Sequence, residues 1–146
     1  MNTKLIAYNN IIKENDKIYR DLTKQLGLSV CAFWILYALR EDIKPLTQSK
    51  ICEMLHETKQ TVNSALKKLN LDGYITLSSG NDRRSKCISL TEKGLRLAAE
   101  TVDLVMTAEQ NALSEFTEAE LDTFISLFDK YTQTLKQKTK NIGGSK

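Results

Sequence analysis

LTQSKICEMLHETKQTVNSALKKLNLDGYITLSSGNDRRSKCISLTEKG, residues 46–94, changes its apolar spacing twice within one stretch. Thr47 stands as the cap of a short helix in which Ile51, Cys52 and Leu55 recur at i, i+1 and i+4, placing Cys52 toward the core. Thr58 caps the next helix, whose Val62, Ala65, Leu66 and Leu69 recur at i, i+3, i+4 and i+7 and share one buried face. The opposite face reads Lys59, Gln60, Asn63, Ser64, Lys67 and Lys68. Helical spacing stops at Asp72-Gly73, and YITLSS (74–79) and SKCISL (85–90) then alternate as two strands around the turn 80–84. Alternation puts Ile75 and Leu77 with Ile88 and Leu90 on the buried side and Cys87 on the other. A hairpin this small must lean on helices.

Upstream, apolar residues from Leu5 to Leu26 (Leu5, Tyr8, Ile12, Tyr19, Leu22) form the stripe of a long amphipathic helix, thickened by Ile11 and Ile18 and ending at Gly27. Ser29 caps a helix through about Arg40 that is apolar nearly all round, which places it in the middle of the core. Pro45 stops what precedes it. Downstream, Thr91 caps a helix that carries Leu95, Ala98, Val102, Val105 and Met106 toward the core and runs to about Leu113. Thr117 and Glu120 form a capping box for the last helix, with Phe116 and Leu121 as its hydrophobic staple. Leu121, Phe124, Phe128, Tyr131 and Leu135 follow as a heptad-like stripe. The two terminal stripes either pack on the compact middle or pair with a second copy of the chain. The fold class is mainly α with a small β-hairpin, in one domain.

With 146 residues, 41% hydrophobic and 27% charged, the chain has enough apolar matter for a full core, and disorder is excluded. The longest apolar run, Val30 to Leu39, is about half of a membrane span, and MNTKLIAYNN lacks the pattern of a secretory signal; a cytoplasmic protein is expected. Cys31, Cys52 and Cys87 show no CxxC spacing, so reduced thiols are the default. Cys52 and His56 stand four apart, but His56 is the only histidine, and no metal or cofactor is assigned. Net charge is only +3, yet residues 58–86 hold six basic residues against two acidic ones. With the four lysines from Lys136 onward set aside as well, the remainder is acidic, so one region is marked for an anionic partner.

A short helix, a tight turn, a second helix with a basic outer face and a hairpin with arginines at its tip make a winged helix-turn-helix. An α-helix fits the major groove of duplex DNA, and Lys, Gln, Asn and Ser reach base edges and nearby phosphates. The arginine-tipped hairpin is long enough to reach the adjacent minor groove, whose negative potential favours guanidinium. Lys67 and Lys68 also admit the plainer reading of a solvated helix face, and Asp82 that of a turn former.

The stretch from Leu26 to Gly94, with LTQSKICEML, TKQTVNSALKKLNLDGYI, DRR and SLTEKG, resembles the MarR family of multiple-antibiotic-resistance-type regulators. The resemblance implies an obligate homodimer whose terminal helices (1–28 and 93–140) form the interface, whose winged lobe spans about 29–92, and whose tail, 141–146, is disordered. Two lobes would read a palindromic site on double-stranded DNA, more often as repressor than activator. Thr58 to Lys68 would be the recognition helix. Lys59, Gln60, Asn63 and Ser64 are the candidates for base edges, and Thr61, Lys67 and Lys68 for phosphate. Arg84 matches the family's wing arginine in the minor groove, Asp82 the acid that orients it, and Arg83 falls to phosphate.

Release by a small aromatic or anionic effector is implied too, from a crevice that would bring Tyr8, Tyr19, Trp34 and Tyr37 near, although such residues at helical spacing are more often core. Cysteine-based oxidant sensing is an alternative in the same fold. The family's sensors carry the reactive cysteine on the first helix, which here has none, and Cys31 at the start of the second helix would feel the helix dipole and burial in opposite directions. No phosphate loop, GxSxG or HExxH is present, so no catalytic residue is assigned and the chain is read as no enzyme. A winged helix used for protein docking is opposed by Lys59, Lys67, Arg83 and Arg84.

Overall fold

Helix α1 (Thr3–Gln25) starts at Asn2, whose side chain accepts from the Lys4 and Leu5 N–H groups, and gives way at Gly27, where φ is +73°. The computed structural model that shows this describes residues 2–42, 44–79 and 86–144. Helix α2 (Val30–Glu41) is capped by the Ser29 hydroxyl, 3.1 Å from the Ala32 N–H. Strand β1 (Leu46–Thr47), α3 (Gln48–Leu55), α4 (Lys59–Leu71), β2 (Ile75–Ser79), β3 (Lys86–Leu90), α5 (Glu92–Glu100), α6 (Val102–Leu113) and α7 (Glu118–Thr139) follow. No single helix among the described residues is long and apolar enough to cross a membrane.

Because α2 is apolar around most of its circumference, it serves two clusters at once. Ile35, Ala38 and Leu39 join Ile51 of α3, Val62 and Leu66 of α4, and Ile75 and Ile88 of the sheet. Phe33 and Leu36 join Ala98, Val102 and Val105, with Tyr19, Leu22 and Trp34 packed against them. Cys52 is half-buried against the first cluster, as its spacing predicts. Val30, at the first turn of α2, is about half exposed, because nothing covers that end of the apolar run.

The hairpin forms in the predicted register, Ile75 opposite Leu90 and Leu77 opposite Ile88, with Ile75 and Ile88 buried and Leu77 partly exposed toward the tip. A third strand is added that periodicity does not reveal. Leu46 pairs with Ile88 and Thr47 with Cys87, giving an antiparallel sheet of order β1-β3-β2. Two residues are too short for an alternating pattern, and Thr47 pairs in the sheet while its hydroxyl caps α3 through the Lys50 N–H at 3.1 Å.

The single helix expected from Thr91 to about Leu113 is broken at Thr101, a correction with a local cause. Thr101 leaves the helical region (φ −128°, ψ −90°), is buried, and donates its hydroxyl to the Leu97 carbonyl at 2.7 Å. The break lets Ala98, Val102 and Val105 reach the core while Leu95, expected inside, is 46% exposed. The first turn of α6 is tied to the end of α2 by Arg40, whose guanidinium gives two parallel bonds of 2.9 Å to the Asp103 carboxylate. That carboxylate holds the guanidinium's pKa above its ordinary value.

Contacts divide the chain into two compact units, Met1–Val105 and Met106–Lys146. In the second, Thr117 and Glu120 complete the capping box, with bonds of 3.1 and 2.9 Å. No residue of α7 is buried, and Phe124, Ile125, Leu127 and Leu135 are exposed. Leu113, Phe116, Leu121 and Phe124 line a groove of about 660 Å³. Residues 141–143 form a turn.

The junction that closes the first unit explains why DGYI and LTEKG both occur. The Thr91 hydroxyl donates to the Gly73 carbonyl at 2.6 Å and accepts from the Gly94 N–H at 3.0 Å, while the Thr91 N–H bonds the Tyr74 carbonyl at 3.0 Å. Lys93 donates to the Asp72 carbonyl at 2.7 Å and lies 4.6 Å over the Tyr74 ring. A Cβ on Gly94 would overlap the Tyr74 carbonyl, and backbone cannot step aside as a side chain can. Gly94→Ala is therefore expected to destabilise the fold by about 2 kcal/mol or more and to lower the melting temperature by several degrees. Calorimetry checks this; an unchanged melting temperature would show that the junction yields.

Candidate nucleic-acid interface

Helix α3 ends at His56, which takes the left-handed conformation (φ 51°) as the chain reverses, with the Glu57 N–H bonded to the Cys52 carbonyl at 3.1 Å. Thr58 then starts α4. Its hydroxyl accepts from the Thr61 N–H at 3.2 Å and lies 2.9 Å from the Thr61 hydroxyl. Val62, Leu66 and Leu69 are buried, which fixes the rotation of α4 about its axis. With the inner face so committed, Lys59, Gln60, Thr61, Ser64, Lys67 and Lys68 are exposed and Asn63 is half-buried. Gln60, Asn63, Ser64 and Lys67 stand at i, i+3, i+4 and i+7 and form one outward row.

The electrostatics of this row suit an anion. The first turn of α4 holds no acidic residue, so its N-terminal N–H groups and the positive end of its dipole are opposed only by Glu57, whose carboxylate accepts from the Thr58 N–H at 3.3 Å. Lys68 reaches Asp72, one turn on, at 3.8 Å; its side chain is 81% exposed, and such a pair holds it weakly. The i,i+4 spacing made that partner legible in advance, but the reading of the basic face alone overlooked it.

Of the expected site residues, Thr58, Lys59, Gln60, Thr61, Asn63, Ser64, Lys67 and Lys68 are brought together on this one helix. Thr58 and Thr61 are engaged with each other at the cap. Asp82, Arg83 and Arg84 lie outside the described residues; the strands that carry them are paired out to Ser79 and Lys86.

The thiols and aromatic residues are placed differently. Cys31, half-buried, points its Sγ at the Thr61 carbonyl, 3.9 Å away, and burial pushes its pKa above the ordinary thiol value. Of the two opposed influences on Cys31, burial is therefore the larger. Cys52 packs inward while His56 is exposed at the turn. Tyr19, Phe33, Trp34 and Tyr37 pack ring on ring, with centroids 4.9 to 6.4 Å apart. Beside them Trp34, Tyr37, Met54 and Leu55 border a depression of about 220 Å³.

A capped helix, a left-handed turn and a second helix whose inner face is buried and whose outer face is basic and amide-bearing define a winged helix-turn-helix protein. The sequence pattern of the MarR family matches residues 22–85. The organic hydroperoxide resistance transcriptional regulator of Bacillus subtilis is 32% identical over 127 residues, 86% of this chain and 84% of that protein. A MarR family regulator from Neisseria meningitidis superimposes with a TM-score of 0.80 at 25% identity, covering 96% of this chain and 98% of that one. S. aureus MepR in a complex with DNA shares the fold, with a TM-score of 0.72 at 23% identity over 92% of this chain and 99% of that one. The chain belongs to the MarR family and is a DNA-binding transcriptional regulator.

Because the Cys31 thiol is pushed upward, less of it is thiolate near neutral pH than in a free cysteine. Iodoacetamide should alkylate Cys31 more slowly in the folded than in the unfolded chain at pH 8, with the gap closing as pH rises past the ordinary thiol value. Peptide mass spectrometry reads the rates; faster reaction in the folded chain would restore Cys31 as an oxidant sensor.

Proposed function

We propose that the chain acts as a homodimeric repressor that binds a palindromic operator through α4 and the wing, and that a small molecule releases it. The observation that carries this reading is the outer row of α4, basic and amide-bearing on a helix whose orientation is fixed by buried Val62, Leu66 and Leu69. Lys59, Gln60, Asn63 and Ser64 face base edges, and Lys67 and Lys68 phosphate, with Thr61 beside the cap. Arg84 enters the minor groove, Asp82 orients it, and Arg83 meets phosphate. The known complex of MepR with DNA supports the same use of the fold.

A second copy of the chain is the natural cover for apolar surface that this one leaves open. Leu5, Ile6, Ile11 and Ile18 are exposed on α1, and Phe124, Ile125, Leu127 and Leu135 on α7. The dimer helices are assigned to 1–28 and 93–140 and the winged lobe to 29–92. Half-sites stand about 34 Å apart on one face of the duplex, so a small rotation of two lobes defeats simultaneous docking. Release by a ligand is preferred to release by oxidation, since α1 carries no cysteine and the Cys31 thiol is pushed upward.

Fluorescence anisotropy against the DNA upstream of its own gene, with a scrambled control and a salt series, tests the reading. Tight binding to the native fragment with a steep salt slope is expected, because each neutralised phosphate releases counterions. Arg84→Ala should cost about 1–3 kcal/mol of operator affinity while the dimer persists in sedimentation; wild-type affinity would remove the wing from recognition.

Gln60→Ala and Asn63→Ala should each change the preferred operator base, by about 1–3 kcal/mol for a lost bidentate contact. Selection from randomised operators reads this. Weakening that is uniform over all sequences would move both residues from base reading to phosphate contact.

A further inference from the structure

A groove of about 570 Å³ runs along the inner edge of α4, between the N-terminus of α2 and α5. Its floor is apolar: Leu28 before α2, Ala32 on α2, Ala65 on α4 and Leu97 on α5. Its rim is polar, with the Cys31 thiol and the Ser64 hydroxyl on one side and the Lys68–Asp72 pair on the other. The aromatic cluster of Trp34 and Tyr37 borders a separate depression and takes no part in this one. The volume falls in the range of small-molecule sites, and an apolar floor with few polar groups at its edge is their common construction.

The rim chemistry narrows the ligand. A cation and an anion stand side by side at one end of an apolar trough, separated by 3.8 Å and held only by an exposed i,i+4 contact. A ligand with one charge would satisfy one of them and face the other as a like charge. A zwitterion satisfies both, its carboxylate on Lys68 Nζ and its ammonium on the Asp72 carboxylate, while its side chain lies on the apolar floor. The orphan N–H groups at the start of α2, whose first turn has no acidic residue, add to the side that favours the carboxylate.

We propose that this groove is a binding site for an apolar α-amino acid, seated with its two charges between Lys68 and Asp72. Thr61, Ser64 and Lys68 line the groove and also belong to the outer row of α4, so ligand and operator compete for Lys68. This second part rests on the DNA-binding reading given above; occupancy of the groove does not.

L-tryptophan is the probe, and modification of the three native thiols by methyl methanethiolsulfonate, followed by peptide mass spectrometry, is the readout. Cys31 lines the groove, whereas Cys52 and Cys87 do not and serve as internal controls. At saturating tryptophan the Cys31 rate should fall about fivefold or more by mass action, with the other two changing less than about twofold. Indole-3-propionate, which lacks the ammonium, and tryptamine, which lacks the carboxylate, should protect far less, and Asp72→Asn should lose the protection. Unchanged Cys31 reactivity, equal slowing of all three thiols, or equal protection by the two single-charge analogues would overturn the site. In anisotropy, tryptophan should weaken operator binding in proportion to groove occupancy; protection of Cys31 with operator affinity unchanged would overturn the competition. A protein that binds no operator at all would sink the DNA reading and leave the thiol result standing on its own.

Discussion

Burial of α2 on two sides is the constraint on which the remaining packing rests. Ile35 and Leu39 on one side hold α3, α4 and the sheet, while Phe33 and Leu36 on the other hold α5 and the first turns of α6. Val62, Leu66 and Leu69 each contribute roughly 1.5–3 kcal/mol by leaving water, and together they rival the net stability of an ordinary domain. Helix α4 therefore cannot roll about its axis without unfolding its surroundings. Its outer face, freed from any packing duty, can be chosen wholly for what it touches. Any movement of α4 must carry α2 with it, and α2 is tied in turn to α6 by the Arg40–Asp103 pair.

Side-chain hydroxyls at the turn divide the labour within α4. Thr58 and Thr61 satisfy the cap and each other, so they set where the helix begins and which way its first N–H groups point. Gln60, Asn63 and Lys67 carry no such duty. A polar residue at the start of a recognition helix thus has two possible uses, and the hydrogen bonds distinguish the ones that orient from the ones that are free to read. Sequence composition lists both kinds together.

Where one residue's neighbours lie within a turn or a strand pair, the sequence was legible. Val62, Ala65, Leu66 and Leu69 announce the inner face of α4, Thr117 and Glu120 announce the start of α7, and alternation places Ile75 opposite Leu90 in the hairpin. Legibility failed where distant partners decide. Nothing in AAETVDL marks a break at Thr101, since neither Gly nor Pro is present; the break follows from the fit of Val102 and Val105 against Phe33 and Leu36. Strand β1 exists only because β3 offers an edge to Leu46 and Thr47. At the candidate site the face of α4 was readable, but the groove behind it was not, because Cys31 and Thr61 meet across thirty positions of chain.

The wing and α4 need each other through the junction at Gly73 and Thr91. Lys93 and Thr91 bond the carbonyls of Asp72 and Gly73, so the end of α4, the start of β2 and the start of α5 are stitched at one point. Asp72 is at once the cap of α4, the partner of Lys68 and the anchor of Lys93 through its carbonyl. Its backbone is held firmly while its carboxylate, exposed and one turn from Lys68, is held loosely. That contrast lets the Lys68 charge be exchanged among Asp72, a phosphate and a ligand without disturbing the junction beneath it. A tight, buried pair at this point would have fixed the charge, and with it the binding state of the outer face.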